Sequence, residues 1–131
     1  MDYPEFYTEI GKLAYAIARA DGIIHSSEVD KICDFIGMEI EHIETDDKNS
    51  AEAVLQAVVK FNKLRNENAS AKEAYLSFFD FIDGHTELFN QRIKNLCINI
   101  SLRIASAHEG IDETERALIE KLQKKLDGIN G

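Results

Sequence analysis

Two short acidic segments of the chain carry the residues whose types and spacing could bind a metal ion. Positions 20–28 read ADGIIHSSE, and positions 107–115 read AHEGIDETE. Carboxylate oxygens, completed by the backbone carbonyl oxygens of a turn, are the ligands that hard cations such as Ca²⁺ and Mg²⁺ prefer. The sequence therefore predicts a divalent cation site, with Ca²⁺ or Mg²⁺ favoured over Zn²⁺, and its candidate ligands are Asp21, Glu28, Glu109, Asp112 and Glu115.

Helix capping explains part of the same pattern without a metal. Gly22 and Gly110 can take the left-handed conformation that ends a helix. Asp112 and Glu115 have the D-x-x-E spacing of a capping box, in which each side chain accepts an amide of the other residue. Glu28 stands equally early in its helix, where a negative charge suits the positive end of the helix dipole.

Capping does not explain Asp21 and Glu109. Both follow a predicted helix, and an acid at the negative end of the helix dipole is unfavourable by roughly 0.3–1 kcal/mol. A cation held by Asp21 and Glu28, with turn carbonyls completing the shell, would remove this conflict. The D-x-D-x-D-G run of an EF-hand is absent from the sequence, so any site of this kind is not an EF-hand loop.

The helices that would position these turns recur along the chain. When residues 10–35 are set over residues 97–122, 87 positions later, identical residues fall on one helical face and on the turn that follows. The matches include Ile17 with Ile104, Ile24 with Ile111 and Glu28 with Glu115. We therefore predict an all-α fold, a compact bundle of about six to seven helices with a pseudo-twofold repeat of helix–turn–helix units at about 4–37 and 88–127.

Apolar residues at three- and four-residue intervals predict six helices, and no segment alternates as a strand would. Helix 2 is expected to end at Gly37, and Ser50 is expected to cap helix 3, whose apolar side would be Val54, Leu55, Val58, Val59 and Phe61. The remaining helices are expected at about 4–20, 74–82 with Ser70 as the cap, 88–107 and 113–126.

The fourth helix is apolar nearly all round, since positions 74–82 read AYLSFFDFI. Such a helix is usually central in the core of a bundle. The alternative is an aromatic face that binds a partner.

Composition limits the class of protein and its partners. The chain has 131 residues and 44% hydrophobic residues, which is enough for one domain over 1–131 with its own core. A net charge of −9 with no basic stripe argues against nucleic acid as a partner. Cations or a protein partner suit this charge better, and homo-oligomerisation stays open.

The first residues, MDYPEFYTEI, carry acids where a signal peptide would carry positive charge, and no long apolar stretch follows. We therefore expect a cytoplasmic protein that is not an integral membrane protein. Cys33 and Cys97 belong to no C-x-x-C pair. Buried, reduced thiols are the expected state of both residues.

The motif A-x-A-D-G-x-I-x-x-x-E between two helices, present again in weaker form later in the chain, resembles the TerB-like family. Ala18, Ala20, Asp21, Gly22, Ile24 and Glu28 carry the resemblance in the first copy, and Ala105, Ala107, Ile111 and Glu115 carry it in the second. The resemblance implies a helical bundle with acidic residues suspected of binding metal. It also implies a role in stress responses or membrane-associated complexes.

Position by position, the resemblance makes Asp21, Glu28 and Glu115 the suspected ligands. The second copy departs from the pattern, because His108 stands where the acid should be and Glu109 where the glycine should be. The first turn is therefore the better candidate.

Three functions remain open at this stage. The first is a non-enzymatic module that binds a divalent cation, and the second is a purely structural protein–protein adaptor without metal. A metal-dependent hydrolase is the weakest of the three, because the sequence shows no nucleophile–base pair, no phosphate-binding glycine loop and no HExxH helix.

Overall fold

The computed structural model of the chain describes residues 3–20, 22–44, 46–107 and 112–129. Over these residues it is all-helical, without strands, as predicted. Its helices are α1 (Tyr3–Arg19), α2 (Ser26–Glu41), α3 (Asp47–Asn66), α4 (Ala71–Gly84), α5 (Gln91–Ser106) and α6 (Glu113–Asp127), with a short 3₁₀ turn at Thr86–Leu88.

Helix α1 runs through the middle of the bundle, where it packs against α3, α4 and α5. Ile10, Leu13 and Ile17 are fully buried along one side, which confirms the predicted apolar face of the first helix. Gly11 lies where α1 crosses α3, so close that a side chain there would meet the backbone of Ala57. Small residues at this crossing allow the two helices to approach closely.

Phe89 joins the two ends of the core. Its ring meets the rings of Phe6, Phe78 and Phe81 edge-on, at centroid distances of 6.1, 6.4 and 6.2 Å. Edge-to-face contacts of this kind add about 0.5–1.5 kcal/mol each beyond the area they bury. The cluster links α1 to α4 and to the segment that precedes α5.

Helix α2 does not end at Gly37 as predicted but continues to Glu41. The reason is tertiary: Ile40 is fully buried, and an oxygen of the buried Glu39 forms an ion pair with Nε of Arg103 on α5 at 2.7 Å. The ion pair of Glu39 and the core side chain of Ile40 in the last turn outweigh the low helix propensity of one glycine, which costs about 1 kcal/mol.

The start of α3 also differs from the prediction. Asp46 is the N-cap, and its Oδ1 accepts hydrogen bonds from the backbone N–H groups of Lys48 and Asn49, both at 3.0 Å. The predicted cap, Ser50, lies inside the helix and is buried. Either residue type can cap a helix, and the earlier one does so here.

The predicted apolar side of α3 is confirmed for Phe61, which is buried, and for Val54 and Val58, which are partly buried against the core, but it is wrong for Leu55 and Val59. Ala53, Ala57 and Phe61 are buried, whereas Leu55 and Val59 are 62% and 55% exposed. The small residues face the crossing with α1, since only they permit the close approach. This leaves Leu55 and Val59 largely in solvent.

The later helices agree with the sequence more closely. Ser70 caps α4 by accepting the N–H of Glu73 at 3.2 Å, as predicted, and α6 begins at Glu113. The fifth helix was predicted to begin at Leu88, but Leu88 and Phe89 are buried before it begins, and Asn90 is its N-cap.

Each predicted repeat unit contains two successive helices, α1 and α2 in the first and α5 and α6 in the second. Their packing differs, because α5 and α6 contact each other while α2 packs chiefly on α3 and α5. The pseudo-twofold relation between the units stays a prediction.

Candidate functional site at the inter-helix turns

The first turn connects α1 to α2, and within it Gly22 forms a hydrogen bond back to the end of α1. The backbone N–H of Gly22 donates to the carbonyl oxygen of Arg19 at 3.0 Å, and Gly22 has a φ of +132°. A positive φ of this kind favours glycine, which supports the predicted helix-ending role. Asp21 lies outside the described residues, and so does Gly110, the counterpart of Gly22 in the second turn.

Arg19 places a positive charge on this turn. Its Nη1 donates to the carbonyl oxygen of Gly22 at 2.5 Å, and its Nη2 donates to Oδ1 of Asn68 at 2.9 Å. The guanidinium therefore stands at the C-terminal end of α1, where the helix dipole is negative. One of the turn carbonyls that the sequence offers to a cation is thus already hydrogen-bonded.

Glu28 acts in helix capping, as the sequence predicted. It stands in the first turn of α2, and its Oε1 accepts the backbone N–H of His25 at 3.1 Å. Its side chain is only partly buried. A carboxylate offers about four lone-pair sites, so helix capping and cation binding are not mutually exclusive.

The second turn contains the predicted capping box. Oδ1 of Asp112 accepts the N–H of Glu115 at 2.8 Å, and Oε1 of Glu115 accepts the N–H of Asp112 at 3.3 Å. Glu115 is only 4% exposed. Both carboxylates therefore stabilise the start of α6, while His108 and Glu109 lie outside the described residues.

A metal cluster is not seen among residues 3–20, 22–44, 46–107 and 112–129, since no three His, Cys, Asp or Glu side chains there could hold an ion together. Glu28, Asp112 and Glu115 are placed in two separate capping interactions. Asp21 and Glu109 are the two predicted ligands on which the structure gives no information.

The apolar residues of the first turn divide between core and solvent. Ile24 is partly buried and packs against the core. Its neighbour Ile23 is 74% exposed, a feature that the sequence analysis did not single out. Ile111, the counterpart of Ile24, lies outside the described residues.

A cavity of about 660 Å³ opens between α4 and α6 and reaches both turns. We call it the α4–α6 cavity. Ala20 borders it from the end of α1, and Thr114 borders it from the start of α6. Its walls are formed by Ala71, Lys72, Tyr75, Leu76, Phe79, Leu118 and Lys121.

Helix α4 is a core element, as predicted, with one side exposed, and its role as a partner-binding face stays a prediction. Tyr75, Phe78 and Ile82 are buried in the core, whereas Leu76 is 50% exposed and Phe79 is partly exposed. The aromatic helix is therefore a core element whose outer side lines the α4–α6 cavity. The contribution of α6 to this cavity, through Leu118 and Lys121, was not predicted from the sequence.

The two cysteines are free thiols, as expected, and neither is an activated nucleophile. Cys97 is fully buried and Cys33 partly so. Burial raises the pKa of both thiols, and the charges of Asp30 and Asp34 raise that of Cys33 further. A raised pKa disfavours the thiolate, which is the reactive form.

The fold and these turns define a small all-helical domain with acidic connections between its first two and its last two helices. The model of one family, Tellurite resistance protein TerB, matches residues 8–127, and the chain therefore belongs to the TerB family. No curated protein and no solved structure matches the sequence. Within the described ranges, none of the helices is long and apolar enough to span a membrane.

Proposed function

We propose that this TerB-family chain is a non-catalytic, cytoplasmic module that binds a divalent cation at the turn between α1 and α2. In this proposal the module acts in a stress response or as a protein-interaction domain. The observation that carries the proposal is the geometry of the turn: Gly22 closes a short connection, and Glu28 stands in the helical turn that follows. Asp21, adjacent to Gly22 in the chain, would then share one cation with Glu28.

The chemistry of the donors favours a hard cation. Carboxylate and carbonyl oxygens suit Ca²⁺ and Mg²⁺ better than Zn²⁺, which prefers nitrogen and sulfur ligands. The net charge of −9 raises the local concentration of any cation. A second site at Glu109, Asp112 and Glu115 is the weaker proposal, because the last two residues already form a capping box.

Thermal unfolding with Ca²⁺, Mg²⁺, Mn²⁺ or Zn²⁺ against a chelator tests the proposal. A cation that binds only the folded state stabilises it by about 2.7 kcal/mol at 100 times its Kd, and must raise the melting temperature. Asp21→Asn should abolish this rise, whereas Asp34→Asn, at an exposed acid on α2, should preserve it. If millimolar ions change nothing in the wild type or in either variant, the cation proposal is wrong.

A second candidate is an adaptor that binds another protein without metal. The α4–α6 cavity, with the exposed Leu76 beside it, supports this candidate. Association with a partner should then be insensitive to chelator and to Asp21→Asn. Loss of association on adding chelator would argue against a metal-free adaptor.

A further inference from the structure

The walls of the α4–α6 cavity are apolar along two neighbouring helices. Tyr75, Leu76 and Phe79 line it from α4, and Leu118 lines it from α6. Its volume of about 660 Å³ lies within the range of about 300–1,000 Å³ that ligand sites occupy. The cavity can therefore receive several apolar side chains together.

Two side-chain contacts fix the relative direction of these helices. The Tyr75 hydroxyl donates to the Leu118 carbonyl oxygen. About two helical turns further along both helices, Lys125 forms an ion pair with Asp83. Residue numbers rise together on both helices between these contacts, so α4 and α6 run in the same direction. The cavity is thus a channel along two parallel helices.

Among the described residues that line the cavity, the charged ones are both lysines, in a chain with 24 acidic and 15 basic residues. Lys72 precedes Tyr75 on α4, and Lys121 follows Leu118 on α6, so they lie at opposite ends of the apolar stretch. Both are exposed, and neither forms an ion pair with a described residue. The ligand that complements this arrangement is apolar in the middle and negatively charged at each end.

The backbone of the walls restricts the conformation that a bound peptide can take. The wall residues on α4 and α6 belong to helices, whose interior amide and carbonyl groups bond within the helix, and the Tyr75 hydroxyl is already engaged. An extended peptide would leave its own backbone groups without partners on this surface, which is costly. A helical peptide satisfies them internally.

We propose that the α4–α6 cavity binds an amphipathic helix of a partner protein, with an acidic residue at each end of a short apolar face. From Lys72 to Phe79 the wall extends over seven residues, or about 10.5 Å, which is two helical turns. Acids at i and i+7 of the bound helix pair with Lys72 and Lys121, and apolar residues at i+3 and i+4 enter the cavity between them. This inference rests on the adaptor function and is independent of the cation.

Fluorescence anisotropy with a labelled synthetic helix of about sixteen residues, carrying Leu at i+3 and i+4 and Glu at i and i+7, tests this proposal. Leu76→Glu places a charge in the cavity and should weaken binding roughly tenfold or more. The matched control is Leu55→Glu, at a leucine on α3 that is also exposed (62% against 50% for Leu76), and it should leave the affinity unchanged. Circular dichroism should show that both variants remain folded.

Reversing the charge of the two cavity lysines provides a second test of the proposal. The double variant Lys72→Glu/Lys121→Glu should weaken binding roughly tenfold, and a peptide with Lys in place of both Glu residues should regain it. Reversal of Lys48 and Lys63, both exposed on α3, is the matched control.

Three results would overturn the proposal. The first is equal affinity of the Leu76→Glu and Leu55→Glu variants for the acidic peptide. The second is displacement of an anionic dye by dodecanoate with no binding of the peptide, which would identify a lipid-like ligand instead. The third is a partner protein that is retained by Leu76→Glu, which would preserve the adaptor function while excluding this cavity as its site.

Discussion

Replacing Gly11 with alanine probes the closest helix contact in the bundle. A Cβ atom at this position would lie 2.2 Å from the carbonyl oxygen of Ala57 and 3.1 Å from Cβ of Lys60. Carbon atoms in protein cores pack at about 3.5–4.0 Å, so α1 and α3 would have to separate by roughly 1 Å. Because the obstacle is backbone, no side-chain rotation can relieve it.

The magnitude follows from two opposing terms. Overpacking of a core costs typically about 1–3 kcal/mol, and a rigid backbone obstacle places Gly11→Ala at the upper end. Alanine recovers about 1 kcal/mol of helix propensity relative to glycine. We therefore expect Gly11→Ala to lower the free energy of unfolding by about 2 kcal/mol.

Gly37→Ala is the matched control, since Gly37 also lies inside a helix. A Cβ there would meet Val54 at 3.7 Å, an ordinary contact, so the variant should be more stable by roughly 0.5–1 kcal/mol. Urea unfolding followed by far-UV circular dichroism measures both, as the chain contains no tryptophan. The reasoning is refuted if both variants shift in the same direction or if Gly11→Ala unfolds like the wild type.

Three further predictions concern the thiols, the alkaline limit and a helix cap. In the native protein a thiol reagent should modify the partly buried Cys33 slowly and the buried Cys97 only after unfolding; rapid reaction of both would contradict the packing. Burial holds the pKa of Tyr75 above 10.0 and that of Cys97 above 9.0. The unfolded chain therefore loses these protons first, and stability that is complete below about pH 9 falls at higher pH by up to about 1.4 kcal/mol per unit for each group. Tyr75→Phe should flatten urea-unfolding stability against pH above about pH 10, and an unchanged profile would oppose this. Asp112→Ala should cost about 1 kcal/mol of unfolding free energy, whereas Asp127→Ala, at the other end of α6, should cost little; equal losses would argue against the cap.

Local interactions are the part of this fold that the sequence predicts well. The buried face of α1, the Ser70 cap and the Asp112–Glu115 box all depend on residues three or four positions apart. Such spacings determine contacts within one helix whatever surrounds it. The predicted TerB membership rests on motifs of the same local kind.

Features that depend on distant contacts were predicted less well. The continuation of α2 past Gly37 requires the contact of Glu39 with Arg103, which lies on another helix. The exposure of Leu55 follows from the crossing at Gly11, where α3 must present small residues. A prediction from hydrophobicity alone places the large apolar residues in the core. The hydrophobic pattern of one helix does not show which of its faces a neighbouring backbone approaches closely.

The candidate site was likewise predicted only where it depends on local sequence. Both turns were located from sequence, because glycines and acids mark helix ends locally. The α4–α6 cavity was not, since it depends on α4 and α6 lying side by side in parallel. The sequence alone does not indicate that Lys72 and Lys121 could contact one ligand. Only the structure shows them at opposite ends of one apolar wall.

Arg19 changes the argument for a cation at the first turn. The sequence leaves Asp21 beside the negative end of a helix, but the structure places the Arg19 guanidinium there, on the carbonyl oxygen of Gly22. A fixed positive charge offsets the dipole that made the acid unfavourable, so part of the need for a metal disappears. The same guanidinium would compete with a cation for that oxygen. Arg19→Gln should therefore tighten binding of Ca²⁺ or Mg²⁺ if the proposed site exists, and should only destabilise the end of α1, equally with and without the ion, if it does not.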